Sequence, residues 1–129
     1  MRFFDLHCDT PHELYCNNAL LDENDGHVSL NKASCLSRYA QVMAIWTPKK
    51  LDDEKGFTNF HKVMDYLNVE LDRLRDRVHI CRQGEDVVEA WINPSHRKDL
   101  VIRLTWSKSR VSISIRRKQP LTLSVLPFS

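Results

Sequence analysis

The stretch Tyr39-Ala40-Gln41-Val42-Met43-Ala44-Ile45-Trp46-Thr47 is almost uninterrupted apolar sequence and stops at Pro48. A run of this kind, without polar alternation, is the pattern of a strand covered on both faces, as in parallel sheets. The clearest amphipathic pattern in the chain follows it, over residues 53–78. There Phe57, Phe60, Val63, Met64, Leu67, Leu71, Leu74 and Val78 recur at three- and four-residue steps, while Lys62, Asp65, Glu70, Asp72, Arg73 and Arg75 fill the other side. Such a stripe is expected to pack as a helix on a sheet.

Working outward, Phe3-Phe4-Asp5-Leu6-His7-Cys8 reads as a short strand. Thr10-Pro11 ends it, because proline has no amide to give to a ladder. Residues 11–21 suit one short helix, with Thr10 as cap, Pro11 in the first turn and Glu13 near the positive end of the dipole. Asp22-Glu23-Asn24-Asp25-Gly26 reads as a solvated turn. A calcium loop fails there on spacing, because with Gly26 in the invariant glycine position Leu21 falls where the first aspartate must be. Beyond the long helix come a brief apolar step at 78–81, a short helical stretch at 85–92 opened by Gly84 and closed by Asn93-Pro94, and a third strand at 99–105. Strand, helix, strand, long helix, strand is the rhythm of a parallel α/β sheet. A closed barrel of that type needs ~250 residues. With 129 residues, the expected architecture is an incomplete TIM-type (β/α) barrel of about three strand–helix units.

Composition is that of an ordinary globular domain, 42% hydrophobic and 28% charged, which excludes a disordered or collagen-like chain. No stretch of ~18 uncharged apolar residues exists, so no membrane span is expected. The N-terminus lacks an apolar signal core, which predicts a cytoplasmic protein. Cys8, Cys16, Cys35 and Cys81 show no two-residue spacing and are expected to be reduced, mostly buried thiols. The net charge of +2 hides an asymmetry. Residues 1–99 hold all 17 acids and 13 of the 19 bases, a net −4, and residues 100–129 hold six bases and no acid, a net +6. A basic excess confined to the last quarter gives no defined nucleic-acid face, so nucleic acid is not an expected partner.

His7 and Asp9 lie two apart at the end of the first strand, where side chains at i and i+2 share a face, and Asp5 falls on that face one step deeper. In parallel α/β proteins the carboxyl ends of the strands carry the active site. An imidazole nitrogen and a carboxylate at that reach can ligate one borderline cation such as Zn²⁺, with Asp5 or a backbone carbonyl orienting the imidazole. The other reading is a hydrogen-bonded histidine beside a helix-capping aspartate. Cys8 should face the opposite side and pack against a helix, away from any base that His7 could provide. His12, His27, His61, His79 and His96 have no mutual spacing that makes a site.

Phe4-Asp5-Leu6-His7-Cys8-Asp9-Thr10-Pro11 resembles the opening of the membrane (renal) dipeptidase family, whose first barrel strand carries Asp-x-His-x-Asp followed by a small residue and proline. His27-Val28-Ser29-Leu30 is similar to the family's segment before its second strand, and Tyr39 to Trp46 to that strand, including the glutamine. The resemblance covers about the first 105 residues. It implies an amidohydrolase-type barrel with two zinc ions that cleaves dipeptides by a metal-bound hydroxide. It makes His7 and Asp9 ligands of the first zinc, with the bridging glutamate and the remaining ligands on later strands.

The sequence departs from that pattern after Leu104-Thr105, where it continues Trp106-Ser107-Lys108-Ser109-Arg110. No acid follows Asp99 and no histidine follows His96, so the bridging and downstream ligands are missing and at most a partial zinc site is expected. Residues 1–105 therefore read as the N-terminal part of a dipeptidase-like barrel, and 106–129 as an atypical Ser/Arg-rich tail of the kind a reading-frame shift produces. The expected product is a truncated fragment, inactive alone, that self-associates through open sheet edges. The alternatives are a natural short variant whose tail, with Val111, Ile113 and Ile115 in alternation, forms an edge strand or hairpin over the open edge, and a small non-catalytic α/β domain whose basic tail contacts a partner.

Overall fold

The computed structural model describes residues 1–92, 100–108 and 111–114. Its elements, in chain order, are β1 (Arg2–Cys8), α1 (Thr10–Asn17), α2 (Leu30–Ala33), β2 (Arg38–Trp46), α3 (Asp53–Arg73), β3 (Val78–Ile80), α4 (Gly84–Ile92), β4 (Leu100–Lys108) and β5 (Val111–Ser114). β1, β2 and β4 are parallel neighbours in that order. The apolar step at 78–81 is a true strand: β3 runs parallel to β4 beside Leu100, Val101 and Ile102. The third strand extends past Thr105 to Lys108, and β5 pairs with that extension antiparallel, from Lys108↔Val111 to Thr105↔Ser114. Val111–Ser114 thus forms a hairpin arm, one of the two forms, edge strand or hairpin, that its alternation suits, and Ile115 and the rest of the tail lie outside the described residues. The outer edge of β4 is occupied by β3 at its start and β5 at its end, and among the described residues β1 pairs only with β2.

β2 is the central strand and is buried almost throughout, as its unbroken apolar run requires. Tyr39, Met43 and Ile45 face α1 and α3. Tyr39 and Met43 pack with Leu14, Leu67, Leu71 and Leu74, and Ile45 packs with Phe60 and Val63. Ala40, on the other face by strand alternation, packs with Cys81 and Ala90 of the β3–α4 unit.

Three boundaries differ from the periodicity. α1 starts at Thr10 rather than after it and ends at Asn17, because Asn18 adopts a left-handed cap (φ 49, ψ 43), a conformation asparagine tolerates at a helix end. Leu21 is consequently outside the helix yet fully buried. α3 stops at Arg73, with four residues between it and the start of β3 at Val78. Phe60, Val63, Leu67, Leu71 and Leu74 of its stripe are buried as read, but Phe57 is 41% exposed, stacking on Phe60 and meeting His61 edge-on, whereas Glu70 is 4% exposed. Glu70 accepts a hydrogen bond from Leu21 N–H at 2.7 Å and pairs with Arg73, which also grips Asp22. This ties the 18–26 loop to α3. Burial alone would raise the Glu70 carboxyl, but Arg73 and the Leu21 amide outweigh it and hold it below the ordinary range. Within the loop, the Asn24 amide donates to Leu20 and Val28 carbonyls and its oxygen accepts from Gly26 N–H, a local alternative to regular structure typical of asparagine.

Candidate metal-binding site at the end of the first strand

The carboxyl end of β1 is irregular. Asp5 pairs with Gln41 and Cys8 with Met43, so three steps on β1 oppose two on β2. The extra residue is a bulge, which breaks the two-residue alternation and re-aims side chains. His7 N–H lies outside the ladder and donates to Asp5 Oδ1 at 3.1 Å. Asp5 therefore engages the backbone of His7, not its imidazole as the simple alternation predicts.

Beyond the bulge, His7 Nε2 stands 3.4 Å from Asp9 Oδ1. Asp9 occupies the N-cap position of α1, but its side chain makes no cap hydrogen bond; only its backbone carbonyl accepts from His12 and Glu13 N–H. The helix-capping reading of Asp9 is thus not realised. Its Oδ1 is enclosed and has no hydrogen-bond partner, the approach to His7 being of ion-pair length without hydrogen-bond geometry. The His7 and Asp9 side chains remain 64% and 45% exposed, open to solvent and solutes.

For one zinc ion the pair is dimensionally suitable. With metal–donor distances of ~2.0–2.2 Å, two ligands at a tetrahedral angle stand about 3.4 Å apart, the separation found here. For a two-zinc centre the donor set does not suffice: among the described residues no group of three or more His, Cys, Asp or Glu side chains is assembled for a metal.

Cys8 faces the other way, as expected, and packs against the core formed by Leu14 and Met43. Burial pushes its thiol up, and hydrogen bonding to Thr10 only partly offsets this. The expectation of mostly buried thiols holds for Cys81 and partly for Cys8, but Cys16, on the solvent side of the short helix α1, and Cys35, in the turn after α2, are exposed. Iodoacetamide under native conditions should label Cys16 and Cys35 quickly and Cys8 and Cys81 only on unfolding. Rapid native labelling of Cys8 would contradict its placement.

One neighbour escaped the sequence reading. His12 packs edge-on against Trp46 at the end of β2 (5.1 Å between centroids) and brings Nε2 within 3.4 Å of Cys16 Sγ. The four-residue spacing of His12 and Cys16 on one helix was the available signal.

Among the described residues no helix is long and apolar enough to cross a membrane. The sequence matches no protein-family profile and no curated protein. Among solved structures the fold is similar to dipeptidase AC, a metallo peptidase of family M19, with a TM-score of 0.64 at 18% sequence identity. The similarity covers 82% of this chain but 35% of that one, so this chain spans about a third of its length. The likeness establishes a mixed α/β fold resembling a portion of that dipeptidase.

Proposed function

We propose that the chain is one arc of a dipeptidase-like (β/α) barrel, residues 1–105, carrying half of one zinc site at His7 and Asp9 and inactive on its own. The observation that supports this most is the Asp9 carboxylate. It sits at a helix cap, leaves the cap unfilled and meets the His7 imidazole at the spacing of two zinc ligands. Both residues lie at the carboxyl end of a strand in a sheet whose fold is similar to a metallo peptidase. The two side chains would hold the ion from one side, and the hydrolytic chemistry of the whole family needs ligands this chain does not supply. Dipeptides are the substrate class of the intact enzyme in this reading.

Zinc titration of the purified chain tests it. Binding should be weak and should fall at least about tenfold in both His7→Ala and Asp9→Ala, in line with the loss of one of two protein ligands. Zinc affinity unchanged from that of the unaltered chain in both variants would refute the site and favour a small non-catalytic α/β domain with a basic tail.

The tail after residue 105 is, in this proposal, the product of a shifted reading frame. A continuation of dipeptidase-like sequence in one of the other two frames past codon 105 supports it; its absence from both refutes it. The β5 hairpin favours the second account, a natural short variant, because it covers the end of β4. In either case β1, paired on one side only among the described residues, is the edge through which copies would associate.

A further inference from the structure

At the opposite end of the sheet, Arg2 of β1 and Arg38 of β2 are partners in register. Like charges directly opposite one another on neighbouring strands destabilise the pairing unless something neutralises them. Among the described residues nothing does. The Arg2 side chain has no hydrogen bond or ion pair, and Arg38 donates only to the carbonyls of Trp91 (3.3 Å) and Ser37 (3.0 Å). Carbonyls fix the orientation of a guanidinium without cancelling its charge. Both arginines line a cavity of about 430 Å³ together with Ser37, Trp91 and Ile92. Trp91 also buries its indole N–H with no partner, although a buried donor of this kind ordinarily finds one.

Two guanidiniums without an ionic partner, beside an apolar wall, describe a site for an oxyanion on an apolar body. We propose that this cavity binds a small organic anion. Its carboxylate or phosphate lies between Arg2 and Arg38, in the forked geometry that guanidinium offers such groups, and its apolar part lies against Trp91 and Ile92. The volume is within the ~300–1,000 Å³ range of small-molecule sites. The cavity is at the amino ends of the strands, so it is separate from His7 and Asp9 and does not depend on their reading.

Calorimetric titration of the full chain with phenyl phosphate, benzoate and the uncharged benzyl alcohol tests the proposal. Phenyl phosphate or benzoate should bind saturably, benzyl alcohol should not, and the affinity should fall as salt rises. Arg2→Gln, which has no side-chain bond to lose, should keep the melting temperature and weaken binding about tenfold or more. Trp91→Phe, which keeps an aromatic wall, should weaken it less. The proposal is overturned if neither anion binds the unaltered chain saturably, if benzyl alcohol binds as well as they do, or if Arg2→Gln binds with unchanged affinity.

Discussion

Glu70→Ala should lower the unfolding free energy by about 2–3 kcal/mol, measured by urea denaturation. Most of that comes from the Leu21 amide, buried and deprived of its acceptor, a loss of about 1–3 kcal/mol. The ion pair adds less, because the Arg73 guanidinium is 39% exposed and shares its charge with Asp22. Glu70→Gln keeps an acceptor oxygen of the same shape and should cost less. The pH dependence follows from the direction of the shift. Glu70 has a folded value below its ordinary 4.5, so its contribution is present above about pH 4.5 and disappears as pH falls through the lower folded value. The alanine variant should lose that part of the acid sensitivity. Equal stability of Glu70→Ala and the unaltered chain would mean that the 18–26 loop is not held by α3.

Leu67→Ala should cost about 2–5 kcal/mol, the range for emptying a fully enclosed leucine site. Leu67 is 1% exposed at the centre of the core, between Leu14, Met43 and Leu71. Phe57→Ala should cost about 1 kcal/mol or less, because Phe57 is 41% exposed and keeps mainly ring contacts with Phe60 and His61. The contrast is the useful quantity, since both residues belong to the same apolar stripe in the sequence. Comparable losses would place the buried face of α3 one residue away from where the packing puts it.

The strand at 39–47 and the helix after it were legible because burial on both faces and packing on one face leave distinct periodicities. The burial of Glu70 was not, because it rests on the distant Leu21 amide and on Arg73, which Asp22 also holds, and periodicity carries no information about them. The end of α1 at Asn17 was hidden for a similar reason. Leu20 and Leu21 extend its apolar pattern, and only the left-handed turn at Asn18 removes them from the helix. β3 was too short to be told from a connecting step, with three residues whose strand character depends on the edge of β4 being free to receive them.

At the candidate site, the sequence placed His7 and Asp9 together for a reason that was only partly right. A regular strand would align Asp5, His7 and Asp9 on one face. The bulge breaks that alternation, sends the Asp5 carboxylate to the His7 amide and leaves His7 and Asp9 to meet beyond it. The meeting of His12 with Trp46 depends on how α1 lies against the end of β2, which no local pattern reveals.

Zinc-edge X-ray absorption on the purified, zinc-loaded chain tests the half-site most directly. One ion per chain, with a single imidazole, oxygen donors for the remainder of its shell and no second metal nearby, is the predicted result. Two ions per chain with a metal–metal separation of about 3.5–4 Å would contradict it, and so would a sulfur donor, which would put the ion at Cys16 instead of between His7 and Asp9.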